Sequence, residues 1–139
     1  MTDGDIAPHL VVGRKGEDHA VQFLQKHGYR ILNRNVHIGK HDEIDVIAVD
    51  PHDNVLAFIE VKTRSRAGDE YVPSLNLTRE KRMRMFRAAR RWMTTHNYDG
   101  GYRFDLIGIA GNTVVEHILD VRVRDERRWP KKSWQVVPW

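Results

Sequence analysis

At 139 residues, 30% of them charged and 40% apolar, the chain has the size and composition of one soluble globular domain with a proper core. Its net charge of +4 is modest but unevenly spread, which points to a polyanionic partner, and its lack of cysteine excludes disulfides, thiolate metal sites and a cysteine nucleophile. No apolar run approaches the roughly 20 residues that span a bilayer, and the opening residues lack a signal-peptide core, so a cytoplasmic protein with no membrane partner is expected.

Met1–Pro8 is polar, with Gly and Pro, and residues 1–12 are expected to form a loose leader. A helix is predicted from Gly16, because Ala20, Val21 and Leu24 recur at helical spacing and Gly28 is a natural stop. Glu17 lies on the same stripe and faces inward at the first turn. The plain account is a carboxylate complementing the helix dipole. The other is an acid aimed at a metal held by the sheet. A first strand is expected over Tyr29–His37, loosened afterwards by Asn35 and Gly39. His37, His41 and His52 lie near acids without metal-ligand spacing and read as surface or loop residues.

The stretch Glu43–Lys62, EIDVIAVDPHDNVLAFIEVK, reads as two strands, Ile44–Val49 and Val55–Val61, joined by turn residues Pro51, Asp53 and Asn54. In an antiparallel hairpin facing residues have a constant number sum, here about 105 for a turn centred on His52 or Asp53. Asp45 then faces Glu60, Ile47 faces Phe58 and Val49 faces Leu56. Two carboxylates facing each other on the core side repel, and burial raises their pKa values. A hard divalent cation between them removes the conflict, and Mg²⁺ typically takes one or two carboxylates plus waters and phosphates. Lys62 lies on the same face as Glu60, where a lysine can orient a water or offset charge on a phosphate. The alternative is an ordinary cross-strand ion network of Glu43, Asp45, Glu60 and Lys62.

The following loop carries Arg64 and Arg66, able to grip phosphate or simply face water. Leu77–Asn97 is the strongest helix signal, with Thr78 as cap and Met83, Phe86, Ala89, Arg90 and Met93 tracing one, mostly apolar side. Arg84, Arg87 and Arg91 form another side with Lys81 near its edge. A charge run is usually a solvated helix face; here so little acid offsets it that a phosphate backbone is the expected neutraliser. Tyr102–Ala110 and Thr113–Val121 are predicted as strands joined at Gly111-Asn112. Arg103 and Asp105 share a face, as a local pair or a brace behind the site. The tail from Arg122 is basic and holds Trp129, Trp134 and Trp139, which suit stacking on bases, docking on the domain's own flank, or a second subunit.

The pieces GRKGEDHAVQFLQKHGYRILNRN, EIDVIAVD, FIEVKTRS, LTREKRMRMFRAARRW and RFDLIGI resemble the YraN-like family of bacterial proteins, within the restriction-endonuclease-like PD-(D/E)xK nuclease superfamily. That resemblance covers Gly13 to about Asp120. It implies an α/β (α+β) fold with a restriction-endonuclease-like core: a mixed five-stranded sheet flanked by helices, in the order αβββαββ. The nuclease-like domain would be 13–121, with 122–139 a basic, Trp-rich tail. It also implies Mg²⁺ (or Mn²⁺) held by Asp45, Glu60 and Glu17, with Lys62 assisting the attacking water and Lys81 in an auxiliary position on the second helix. Ile44 stands where the motif's proline would be, and Asp42 where relatives commonly have glycine.

The function expected is a metal-dependent endonuclease hydrolysing DNA phosphodiesters, in branched or damaged DNA. Arg64, Arg66, Lys81, Arg84, Arg87 and Arg91 would hold the backbone, and a homodimer suits the cutting of two strands. The alternatives are a non-catalytic nucleic-acid-binding protein of the same fold and an assembly protein that uses its tail as an interface.

Overall fold

The computed structural model describes residues 8–64 and 78–121, with side chains from Gly16 to Thr63 and from Thr78 onward. The elements are α1 (Pro8–Lys26), β1 (Arg30–Ile38), β2 (Asp42–Val49), β3 (Leu56–Arg64), α2 (Arg79–Thr95), β4 (Tyr102–Ala110) and β5 (Thr113–Ile118). The order αβββαββ is the one expected. The five strands form one sheet in chain order, β1-β2-β3-β4-β5. Only β3 and β4 run parallel; the β1–β2, β2–β3 and β4–β5 pairs are antiparallel. Parallel neighbours need a crossover, and α2 supplies it.

Each helix covers one face of the sheet. Ala20, Val21 and Leu24 of α1 pack on Val46, Ala48, Ala57, Ile59, Ile107 and Ile109. Met85, Phe86, Ala88, Ala89 and Trp92 of α2 pack on Ile47, Leu56, Phe58 and Phe104. Central strands covered on both faces must be apolar almost throughout, which is why β3 and β4 read FIEV and FDLIGIA. The described residues contain no helix long and apolar enough to cross a membrane.

Three boundaries differ from expectation. First, α1 begins at Pro8, not Gly16, so residues 8–12 of the expected leader are helical. Proline fits a first helical turn, where its missing N–H has no partner to lose. Gly16 is not a start signal but a contact: a Cβ there would overlap the Thr63 hydroxyl of β3. Second, the side of α2 expected to face inward does so at Met83, Phe86, Ala89 and Met93, but Arg90 is exposed and Met85, Ala88 and Trp92 are buried as well. Trp92 meets Phe58 edge to face, with centroids 5.9 Å apart. Third, β5 ends at Ile118, short of Val121. The cap at Thr78 is as expected, its side chain accepting from the Lys81 N–H.

Candidate functional site

The constant sum of 105 holds along the paired ladder from Val49–Leu56 to Val46–Ile59. It stops one step short of Asp45 and Glu60, and the cause is a reversal of the pleat. Val46 and Ala48 face α1, whereas Ile44 packs in the α2 cluster and Asp42 bonds Arg87 of α2. Even-numbered residues therefore change sides at Asp45. The neighbouring strand does the same at Asn35: Arg34 pairs with Asp18 of α1, while Val36 and Ile38 pack toward α2. Asn35 has φ +51°, a conformation that asparagine tolerates better than most residues.

Instead of sharing a face with Glu60, Asp45 turns into the gap between β2 and β3, where its Oδ2 accepts the Val61 N–H at 2.8 Å. Its carboxyl is pushed up to about 8, first by burial and then by the charge of Glu60, with Glu17 and Glu43 adding and the Val61 bond opposing. Glu60 and Lys62 face α2, with Lys62 Nζ 3.1 Å from Glu60 Oε1. Burial alone would lower the Lys62 amine, but Glu60 outweighs it and the net shift is upward. Lys81, in the first turn of α2, hydrogen-bonds the Lys62 amine, and that bond and the adjacent charge lower its own pKa. The two contacting amines are thus shifted in opposite directions.

Glu17 comes from the opposite face of the sheet. The Gly16–Thr63 contact seats this turn of α1 against the end of β3. Its Oε1 is buried without a hydrogen-bond partner, and Asn35 bonds the carboxyl. Burial raises its pKa, Arg34 opposes, and Glu43 adds to the rise. A buried carboxylate oxygen left without a partner is a group that a coordinated water or a cation could satisfy.

The chemistry of these donors fits a hard divalent ion. Among the described residues, however, no three Asp, Glu or His side chains form a ready-made metal cage. The pair Asp45 and Glu60 suits Mg²⁺, which keeps most of its own waters, better than an ion that needs an all-protein shell. Asp45 and Glu60 are the residues that would hold it, with Glu17 reaching a coordinated water.

Glu60 and Lys62 lie in the floor of a cleft of about 380 Å³. One wall is the end of β1 with His37, the turn with Lys40 and His41, and the start of β2 with Asp42 and Glu43; the other is α2 with Lys81 and Arg84. The basic side of α2 has more acid near it than its own sequence suggests. Arg84 binds Glu80 at 2.6 Å, and Arg87 reaches across to Asp42 of β2 at 3.2 Å. Arg91 is exposed, its guanidinium close to Gly39. The side chain of Arg64, and Arg66 altogether, lie outside the described residues, as do the tail and its tryptophans.

Arg103 and Asp105 belong to a buried brace on the α1 side. Arg103 bonds Asp105 at 3.0 Å, Asp50 at 2.7 Å and the Tyr29 hydroxyl at 2.8 Å. His117 and the Asp120 N–H complete Asp105, each at 3.0 Å. Two things were missed from sequence. Tyr29, Asp50 and His117 gave no local signal, because their partners in the brace are 12 to 74 positions away. Lys40 and the two cleft histidines carried one: they come shortly before EID, His37 near the end of β1 and Lys40 and His41 in the turn.

The sequence pattern of the uncharacterised protein family UPF0102 matches residues 16–109. A UPF0102 protein of Cytophaga hutchinsonii is 38% identical over 113 residues, covering 81% of this chain and 96% of its own. One from Streptomyces coelicolor is 40% identical over 123 residues, covering 84% and 92%. One from Nitratidesulfovibrio vulgaris is 34% identical over 132 residues, covering 91% and 94%. The chain belongs to the UPF0102 family. The resemblance read from the motifs therefore leads to the right family. The stretch shared with UPF0102 begins at the glycine that seats α1 on β3 and ends one residue before the end of β4. It contains Glu17, Asp45, Glu60, Lys62 and Lys81; β5 and the tail lie beyond it.

Proposed function

We propose that this UPF0102 protein is a metal-dependent phosphodiesterase acting on nucleic acid, with DNA as the expected substrate. The observation that carries the reading is Asp45. The chain reverses the pleat of two strands to bring a buried carboxylate beside Glu60, at a cost in electrostatic repulsion that no core needs. A Mg²⁺ or Mn²⁺ ion bound there supplies Lewis-acid polarisation of a phosphodiester and an activated water.

The protein's own contributions follow from position. Asp45 and Glu60 hold the ion, and Val61 keeps the Asp45 carboxylate oriented through its N–H. Lys62 is recessed and cationic, placed to orient the attacking water or to offset charge on the phosphate. Lys81 and Arg84 line the wall along which a phosphate chain would pass, holding backbone without reading bases.

A second reading is favoured by one contact. Lys62 closes on Glu60 at 3.1 Å, and that pair could be a finished ion bridge within a protein that binds nucleic acid and never cleaves it. Incubation with labelled linear, flapped and four-way DNA, with Mg²⁺, Mn²⁺ or EDTA, separates the two. Cleavage is expected only with metal. The double variant Asp45→Ala with Glu60→Ala is expected to lose it while binding DNA as well or more tightly. Cleavage that persists in EDTA or in the double variant overturns the first reading; metal-independent binding with no cleavage of any substrate supports the second.

A further inference from the structure

We infer that the cleft admits a single, unpaired strand of nucleic acid rather than the interior of a double helix. This rests on the phosphodiesterase reading of the same site and names its substrate class. The two walls are tied together. Asp42, at the foot of the β1–β2 turn, bonds Arg87 of α2 through both carboxylate oxygens, at 3.2 and 3.4 Å. The same turn meets α2 again at Gly39, where even a Cβ would stand 3.0 Å from the Arg91 guanidinium. The Asp42–Arg87 pair thus ties the two walls together, with Arg91 lying against the turn beside it.

The size of the cleft suits one nucleotide. Its volume of about 380 Å³ lies near the lower end of the roughly 300–1,000 Å³ typical of pockets that enclose small ligands. Of the groups proposed to act on the phosphate, Glu60 and Lys62 line the cleft and are recessed, at 16% and 24% side-chain exposure, while Asp45 is not part of its lining. The rim residues His37, Lys40 and His41 are exposed. A duplex would rest on that rim, its backbone held by Lys40 and Arg84 and its phosphodiester short of the floor. A single strand can enter, with its phosphate toward Lys62 and Lys81. Its base would then lie at the β1–β2 turn, where the imidazoles of His37 and His41 offer planar faces for stacking.

Binding is measured in EDTA at fixed salt, by fluorescence anisotropy, with a labelled oligothymidylate, a blunt duplex of equal length and a flapped duplex. The single strand and the flap are expected to bind at least about tenfold more tightly than the blunt duplex. His41→Ala should weaken single-strand and flap binding about fivefold or more, as loss of one stacking platform does, and leave blunt-duplex binding unchanged. Lys40→Ala, a phosphate contact, should weaken all three. Equal binding of strand and duplex, or a His41→Ala loss that is the same for both, overturns the inference. A cleavage arm with Mg²⁺ keeps the two claims apart. Cutting inside a blunt duplex as fast as at a flap removes the single-strand inference and leaves the phosphodiesterase standing. No cutting anywhere, with strand preference and the His41 effect intact, removes the phosphodiesterase and leaves the inference standing.

Discussion

Asp45 shows what a functional residue does to the strand that carries it. Its carboxyl is raised to about 8 by burial and by Glu60, so the folded protein holds that proton far more tightly than the unfolded chain does. The sign follows directly. Below the unfolded value of about 4 both states are protonated, and between about 4 and 8 the folded state alone keeps the proton, so stability falls as pH rises through that window. Asparagine mimics the protonated side chain and can still accept the Val61 N–H. Asp45→Asn should therefore leave stability nearly unchanged at pH 4 and raise it by about 2 kcal/mol or more at pH 8, since a tenfold difference in proton affinity between the two states is worth about 1.4 kcal/mol. Urea denaturation at the two pH values, in EDTA, measures it. A variant less stable than the parent at pH 8 would mean that the carboxylate is already compensated within the protein.

At the scale of elements, the contact of α1 with β3 is where two local effects oppose each other. Gly16 lies inside a helix, where alanine is normally favoured by roughly 1 kcal/mol. Yet an added Cβ would overlap the Thr63 hydroxyl, with Thr63 Cβ only 2.9 Å away, so rotating the threonine cannot clear it. Overpacking of this kind costs about 1–3 kcal/mol, so Gly16→Ala should destabilise. It should also displace Glu17, the next residue, and reduce any metal-dependent activity more than the stability loss explains. An unchanged or raised denaturation midpoint would show that α1 can shift without cost. The same contact marks what was legible in sequence. The strands, the register of the hairpin and the Thr78 cap follow from alternation and turn chemistry, which are local. The longer α1 was hidden because a glycine needed for packing looks the same as one that ends a helix. The pleat reversal was hidden because a number sum is blind to it: β1 and β2 change faces together at Asn35 and Asp45, so their register stays at 80 on either side. Only the left-handed tolerance of Asn35 hinted at it. On α2 Arg90 alone was misplaced: Met83, Phe86, Ala89 and Met93 do lie against the core, and Met85, Ala88 and Trp92 complete the covered side.

Across the whole molecule, two acid clusters at different places respond to pH in opposite directions. In the brace, burial alone would raise Asp50, but hydrogen bonds from the His52 N–H and ring, Arg103 and Tyr29 outweigh it and hold the carboxyl well below the usual range. That group's contribution is complete above the unfolded value of about 4 and is lost as pH falls below it. The brace joins β2, β4 and β5 to Tyr29, so its loss loosens the sheet as a unit. Asp45 and Glu17 run the other way, losing stability as pH rises. With metal chelated, the thermal midpoint should therefore peak in the weakly acidic range, roughly pH 4–5.5, and decline toward pH 8. A divalent cation that binds only the folded, deprotonated site adds stability by mass action and competes with the proton. Mg²⁺ at millimolar concentration should then flatten the decline and move the peak toward neutrality, and Asp45→Asn should decline less steeply than the parent, keeping only the Glu17 part of the slope, and be insensitive to Mg²⁺. Differential scanning fluorimetry across pH 3.5–8.5, with EDTA or Mg²⁺, reads all three curves. If the parent in EDTA peaks at pH 7 and Mg²⁺ leaves its curve unmoved, the acids at the end of the hairpin are not holding open a place for a cation.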